Sequence, residues 1–259
     1  MNFLGHALAY IFTAANWGGP AGLGTRIGEH LEYTAIAVAV AALIAVPVGL
    51  VIGHTGRGTF VVVTAANALR ALPTLGVLLL GVLLWGLGLV PPTVALMLLG
   101  IPPLLAGTYS GIANVDPAVV DASRSMGMTE RQVLFRVEVP NALPLMLDGL
   151  RTATLQVVAT ATVAAYASLG GLGRYLIDGI KVRQFYLALV GALMVTALAL
   201  LLDGVLALAA WASVPGSGRL RREPEPLVDD IATVTAVPGS RALTGHPKRR
   251  GDASLTVDG

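Results

Sequence analysis

Apolar residues in this chain come in blocks about twenty long, separated by short polar stretches. A hydrocarbon core of ~30 Å takes about twenty helical residues at 1.5 Å each. Residues 33–52, 60–89, 93–112, 141–168 and 185–211 meet that length. The pattern predicts an all-α, polytopic helical membrane protein with five core transmembrane helices. An earlier stretch, 3–17, is shorter and is broken by His6 and Asn16. It reads as a helix lying in the interface with Tyr10 and Trp17 at headgroup level; a sixth span is the other reading. It lacks the basic leader and small-residue cleavage site of a signal peptide. Past Pro215 the composition shifts to Arg, Pro, Glu, Ser and Gly, too poor in apolar residues to fold. The expected organisation is an interfacial segment at 1–32, a transmembrane domain at 33–213 and a disordered cytoplasmic tail at 214–259.

The polar interruptions add detail. Gly49 and Gly53, and again Gly107 and Gly111, have the small-xxx-small spacing that lets helices approach closely. The block 60–89 carries Asn67 and Arg70 just before Pro73. The residue before a proline is pushed out of helical geometry, so a break is expected there. A charge at this depth faces protein, water or an interface. Arg70 therefore either snorkels at a boundary or, with Asn67 and Pro73, lines a path through the membrane. Pro91–Pro92 reads as a tight turn, and Pro102–Pro103 must kink or split the next span. In 141–168, Asp148 and Arg151 have i, i+3 spacing for a pair. Gln156, which cannot bond back to its own helix as threonines do, is the further path candidate. Residues 174–180 read as a short surface helix, and Asp203 as lying near one end of the last span.

Composition narrows the functions open to the chain. Residues are 55% apolar and 12% charged, against about 25% charged in soluble domains. A net charge of +2 gives no reason to expect nucleic acid. With no cysteine and four scattered histidines (His6, His30, His54 and His246), neither a metal site nor a bound cofactor is expected. The loop GHTGRGT has Arg57 before Gly58 and Thr59 where a phosphate-binding loop needs lysine, and no strand precedes it. No catalytic constellation emerges, so an enzyme is not expected.

The longest polar interruption, 116–140, reads DPAVVDASRSMGMTERQVLFRVEVP. Asp116 can cap a helix that has Pro117 at its first position. Val119, Ala122, Ser123 and Met126 then share one face, and Gly127 supplies a left-handed end. Thr129 and Gln132 fit a capping box for a second helix with Val133, Leu134 and Val137 on its apolar face. Pro140 is expected to stop it. Asp121-Ala122-Ser123, three residues, Gly127, nine residues, Val137, one residue and Val139-Pro140 resembles the Glu-Ala-Ala…Gly…Leu-Pro signature of importer-type ABC permeases. Asp stands for Glu, Ser for Ala and Val for Leu.

That resemblance implies a fold of the methionine-importer-permease type in a bacterial cytoplasmic membrane, with Asp121, Ala122, Ser123, Gly127, Val137 and Pro140 coupling to a separate cytoplasmic ATPase. The partner, not this chain, would bind ATP and Mg. A second permease chain, identical or paralogous, and an extracytoplasmic solute-binding protein are the other implied partners. Arginine placement agrees with this orientation. Arg57, Arg124, Arg131, Arg136, Arg219, Arg221 and Arg222 fall inside, against Arg26, Arg174, Lys181 and Arg183 outside. Along 30–210, NALRALPT and YASLGGLGRYLIDGI resemble permeases of osmoprotectant importers for glycine betaine, choline, carnitine or proline. A methionine or other amino-acid importer permease is the alternative. An ion-coupled secondary transporter would need inverted repeats and intramembrane acids, and no repeat is visible.

Overall fold

The structure, a computed structural model, describes residues 3–213; the tail expected at 214–259 lies outside them. Every element among the described residues is helical. In order they are α1 (Phe3–Phe12), α2 (Leu23–Thr55), α3 (Thr59–Arg70), α4 (Thr74–Trp85), α5 (Val90–Ala113), α6 (Pro117–Ser125), α7 (Glu130–Val133), α8 (Val139–Thr160), α9 (Gly173–Lys181) and α10 (Phe185–Ser213).

Three helices, α2, α5 and α10, are long and apolar enough to cross a membrane, and α3 with α4 passes as one segment bent by 86°. α8 spans 22 residues, but Asp148, Arg151, Gln156 and its threonines keep it below the same apolar threshold. It nevertheless runs through the bundle between α5 and α10. At ten residues, or ~15 Å, α1 is about half the length of a span. It packs instead on α10, with Phe3 edge-on to Phe185 at 6.3 Å and Tyr10 tilted against Tyr186 at 6.4 Å.

The centre is a three-helix layer with α5 between α2 and α8. Hydrocarbon gives helices no hydrophobic reason to associate, so close approach and van der Waals contact must do it. The inward stripe of α2 is small: Thr34, Ala37, Ala41, Ala45 and Gly49 are buried, while Leu43 and Val51 face outward. A Cβ placed on Gly49 would lie 2.7 Å from the Thr108 side chain, and one on Gly53 would lie 2.7 Å from that of Ile112. On the other flank a Cβ on Gly107 would meet Gly149 Cα and the Leu145 carbonyl oxygen, both at 2.7 Å. A Cβ on Gly111 would meet the Ala142 carbonyl oxygen at 2.9 Å.

These contacts also fix direction. Gly100 lies against Ala41, Thr108 against Gly49 and Ile112 against Gly53, so α2 and α5 run parallel. Gly100 lies against Val157 and Gly111 against Ala142, so α8 is antiparallel to both. Parallel neighbours need a return crossing, which identifies the bent α3–α4 pair as a broken span rather than a loop re-entering its own side. Ala66 of α3 packs with Leu105 towards the end of α5, whereas Leu78 of α4 packs with Ala95 near its start.

Several expectations are corrected. The first helix long enough to span begins at Leu23, so residues 23–32 belong to α2 and not to a separate segment ending at 32. Pro91 and Pro92 sit in the first turn of α5, where missing N–H donors cost nothing, and they form no turn between spans. α5 is not split at Pro102–Pro103; both rings are buried among its neighbours. Arg151 does not pair along its own helix. Its Nε and Nη2 donate to Asp203 of α10 at 2.5 and 2.7 Å, a fork-to-fork pair joining α8 to α10. Asp203 lies ten residues before the end of α10, about 15 Å along the axis. The pair ties two helices that are far apart in sequence. The break at Pro73 and the short helix near 174–180 occur as expected.

The glycine contacts make a clear expectation. Gly107→Val drives a side chain into two backbone segments that cannot step aside, a strain of ~1–3 kcal/mol. Its thermal midpoint in detergent should fall clearly below that of Gly204→Val, whose Cβ meets nothing within 4 Å. Equal midpoints would contradict this packing.

Candidate coupling surface and translocation cleft

Between α5 and α8 the chain leaves the bundle and forms a compact knuckle. Asp116 caps α6 as expected, its Oδ1 accepting from the Ala118 N–H at 2.9 Å. α6 ends in a Schellman arrangement. The Gly127 N–H donates to the Arg124 carbonyl at 2.9 Å and the Met128 N–H to the Ser123 carbonyl at 3.3 Å. Gly127 holds φ +82, the left-handed region that favours glycine, and no atom lies within 4 Å of a Cβ placed there. Its requirement is conformational and not spatial. The Thr129 N–H donates to Gln132 Oε1 at 2.9 Å, the capping contact that starts α7.

The faces differ from expectation. Val120 and Ser123 point inward, whereas Val119, Ala122 and Met126 are exposed, Met126 by 76%. Asp121 and Gly127 are also exposed, Val137 is half-buried, and Pro140 is exposed. Pro140 does not stop the second helix. α7 passes through a π-turn, Leu134–Glu138, directly into α8, where Pro140 occupies the first turn. The knuckle thus presents apolar Val119, Met126 and Phe135, the last 52% exposed, beside an open concavity of about 440 Å³ lined by Thr129, Arg131, Gln132, Phe135 and Arg136.

A network of charged groups holds this shape. Arg124 Nε and Nη2 donate to the two oxygens of Glu130 at 3.0 and 3.1 Å, clamping α6 to α7. That guanidinium holds the Glu130 carboxyl below the usual carboxylate range, and Glu130 in turn raises Arg124. Both side chains are solvent-exposed, so the clamp sets position more than stability. His54, in the last turn of α2, closes the network. Its Nδ1 lies 2.6 Å from Glu138 Oε2 and its Nε2 lies 3.2 Å from Glu130 Oε2. Sequence reading left His54 among the scattered histidines, because 84 positions separate it from Glu138. The available signal was one histidine ending a span on the side where a later loop carries two glutamates.

The proposed path residues divide between two faces. Asn67 and Arg70 come together with Pro102 and Tyr109 around a cleft of about 40 Å³ between α3 and α5. Arg70 makes no ion pair among the described residues. Pro73 sits at the bend, leading into α4. Gln156 does not join them. It is exposed on α8 along a polar stripe that includes Asp148 and Thr152. His30 of α2, which is fully buried, was also missed; its Nε2 lies 3.0 Å from the Val158 carbonyl oxygen and joins α2 to α8.

The chain is similar to several known permeases. The glycine betaine/carnitine/choline transport system permease protein OpuCB of Bacillus subtilis (strain 168) is 36% identical over 182 residues, 70% of this chain and 84% of that protein. The choline transport system permease protein OpuBB of the same organism is 36% identical over 194 residues, covering 74% and 89%. The osmoprotectant import permease protein OsmW of Salmonella typhimurium is 34% identical, covering 69% and 85%. Among solved structures, the inward-facing MetNI methionine ABC transporter matches with a TM-score of 0.66 at 19% identity, over 74% of this chain and 96% of that one. At that identity the match shows a shared fold. The profile of the binding-protein-dependent transport system inner membrane component covers residues 45–210, and the chain belongs to that family of multi-pass membrane permeases.

Proposed function

We propose that this chain forms the membrane path for a compatible solute such as glycine betaine, choline, carnitine or proline, and that a separate ATPase drives it through the α6–α7 knuckle. The observation that carries the solute class is identity of 34–36% spread over most of the length of permeases named for glycine betaine, carnitine and choline, for choline, or for osmoprotectants. The methionine transporter shares the fold at 19% identity, which makes an amino-acid importer the weaker reading.

The knuckle supports the coupling role by its construction. It is rigid, solvent-facing and continuous with α5 and α8 at its two ends. Asp121, Ala122, Ser123, Gly127, Val137 and Pro140 build it, and exposed Val119, Met126 and Phe135 beside Arg131 and Arg136 offer an apolar contact rimmed by charge. Closure of two ATPase subunits on ATP and Mg would displace it, and the close-packed α2–α5–α8 layer would rock and expose the path alternately to each side. Five passes enclose little space alone. Two permease chains around a two-fold axis complete the path, with Asn67, Arg70 and Pro73 at the broken span and Gln156 on the polar stripe of α8 as the groups meeting solute. An extracytoplasmic binding protein would deliver the solute, and the tail after α10 would be cytoplasmic.

Gly127→Val tests the lever. A β-branched residue at φ +82 costs ~1–2 kcal/mol of backbone strain, so membrane insertion should survive while uptake per ATP hydrolysed falls. Gly127→Asn, which tolerates that conformation, should retain coupling. Normal uptake by the valine variant contradicts the lever. The solute class is tested by titrating the companion binding protein with choline, glycine betaine and carnitine, at least one of which should bind. Tight methionine binding with no response to any quaternary amine overturns the assignment.

A further inference from the structure

Two of the central helices are covalently continuous with the knuckle, since α5 enters it and α8 leaves it. α2 is not; α3, α4 and α5 intervene. The ion pairs that join α2 to the knuckle among the described residues are those of His54 with Glu130 and Glu138. Their geometry is built. A π-turn closes its bonds five residues apart, so the Leu134–Glu138 segment carries Glu138 round to the buried face that Val133 occupies five positions earlier. In an unbroken α-helix Val137 would lie there instead. Glu138 is consequently only 5% exposed, a carboxylate taken out of water beneath the end of α2. One imidazole ring thus bridges two carboxyl groups, its Nδ1 2.6 Å from Glu138 Oε2 and its Nε2 3.2 Å from Glu130 Oε2. Among the described residues no group of three or more His, Cys, Asp or Glu side chains is placed to hold a metal ion.

We propose that His54 and Glu138 are positioning residues that fasten the coupling knuckle to α2, so that movement of α6 and α7 reaches α2 directly as well as α5 and α8 through the chain. The proposal rests on the coupling role given above. Because Gly49 and Gly53 hold α2 flush against α5, a displaced knuckle then turns the whole three-helix layer together. Without the fastening, the force enters α5 and α8 alone, and α2 follows only through side-chain contact.

The test separates fastening from simple neutralisation of a buried charge. His54→Ala strands the Glu138 carboxylate, and its yield should drop. In His54→Ala/Glu138→Gln the charge is gone and the shape kept, so yield should return to that of the unaltered protein. The chain has no cysteine, so spin labels at Thr55→Cys and Ala118→Cys, with a cysteine-free ATPase, report the α2–α6 distance in the complete transporter in liposomes. The unaltered network should give one narrow distribution both without nucleotide and with trapped ATP. The double variant should give a broad one, and choline uptake per ATP hydrolysed should fall about tenfold, the effect of losing a charge-assisted hydrogen bond. A distribution as narrow in the double variant as in the unaltered protein overturns the proposal whatever the uptake shows. Should the double variant not assemble, Glu138→Gln alone reads the same distance with the same expectation and the same contrary result. The coupling role fails separately, through normal uptake by Gly127→Val.

Discussion

Backbone meets backbone at Gly107 and Gly149, and the rest of the bundle is arranged about that contact. Water drives apolar faces together in soluble proteins, but lipid tails are as apolar as leucine, and association in the membrane depends on how closely helices can come. Small residues on α2, α5 and α8 provide that closeness. Gly49 and Gly53 seat Thr108 and Ile112, while Gly107 and Gly111 seat α8. The layer so formed is stiff across its width and bare of large side chains at its seams. It suits an assembly that must move as a body and not deform locally.

Charge does in a few places what packing does along the helices. Arg151 and Asp203 join α8 to α10, and His54 joins α2 to the knuckle. Both are cross-helix ties between residues far apart in sequence. Arg70 contrasts with them. It stands at the break between α3 and α4 beside Asn67 and Tyr109 with no counter-ion among the described residues.

The all-helical fold, the broken second span and the capped, glycine-hinged knuckle were legible in the sequence. Length, proline and capping chemistry act locally and leave local marks. Inward faces were not legible. In a soluble helix polarity separates inside from outside, but residues 35–53 of α2 are apolar all round, and only the size of Ala37, Ala41, Ala45 and Gly49 marks the buried stripe. The same limit misassigned Val119 and Met126, which share a helical face with Ser123 by spacing yet point away from the bundle. Pro140 misled for a different reason. Proline in a helix interior removes a backbone donor, but here a π-turn resets the helix just before Pro140, and the missing donor falls in a first turn. The partnerships of His54 and Arg151 depend on topology, since 84 and 52 residues separate them from their carboxylates.

The account stands on the knuckle facing the cytoplasm, where an ATPase can reach it. The direct measurement is labelling of a single Met126→Cys by a membrane-impermeant maleimide, with Lys181→Cys at the opposite end of the bundle as reference. Intact cells should label Lys181→Cys and spare Met126→Cys. Inverted vesicles should label Met126→Cys, and bound ATPase should protect it. Labelling of Met126→Cys from outside intact cells would contradict the coupling mechanism at its root.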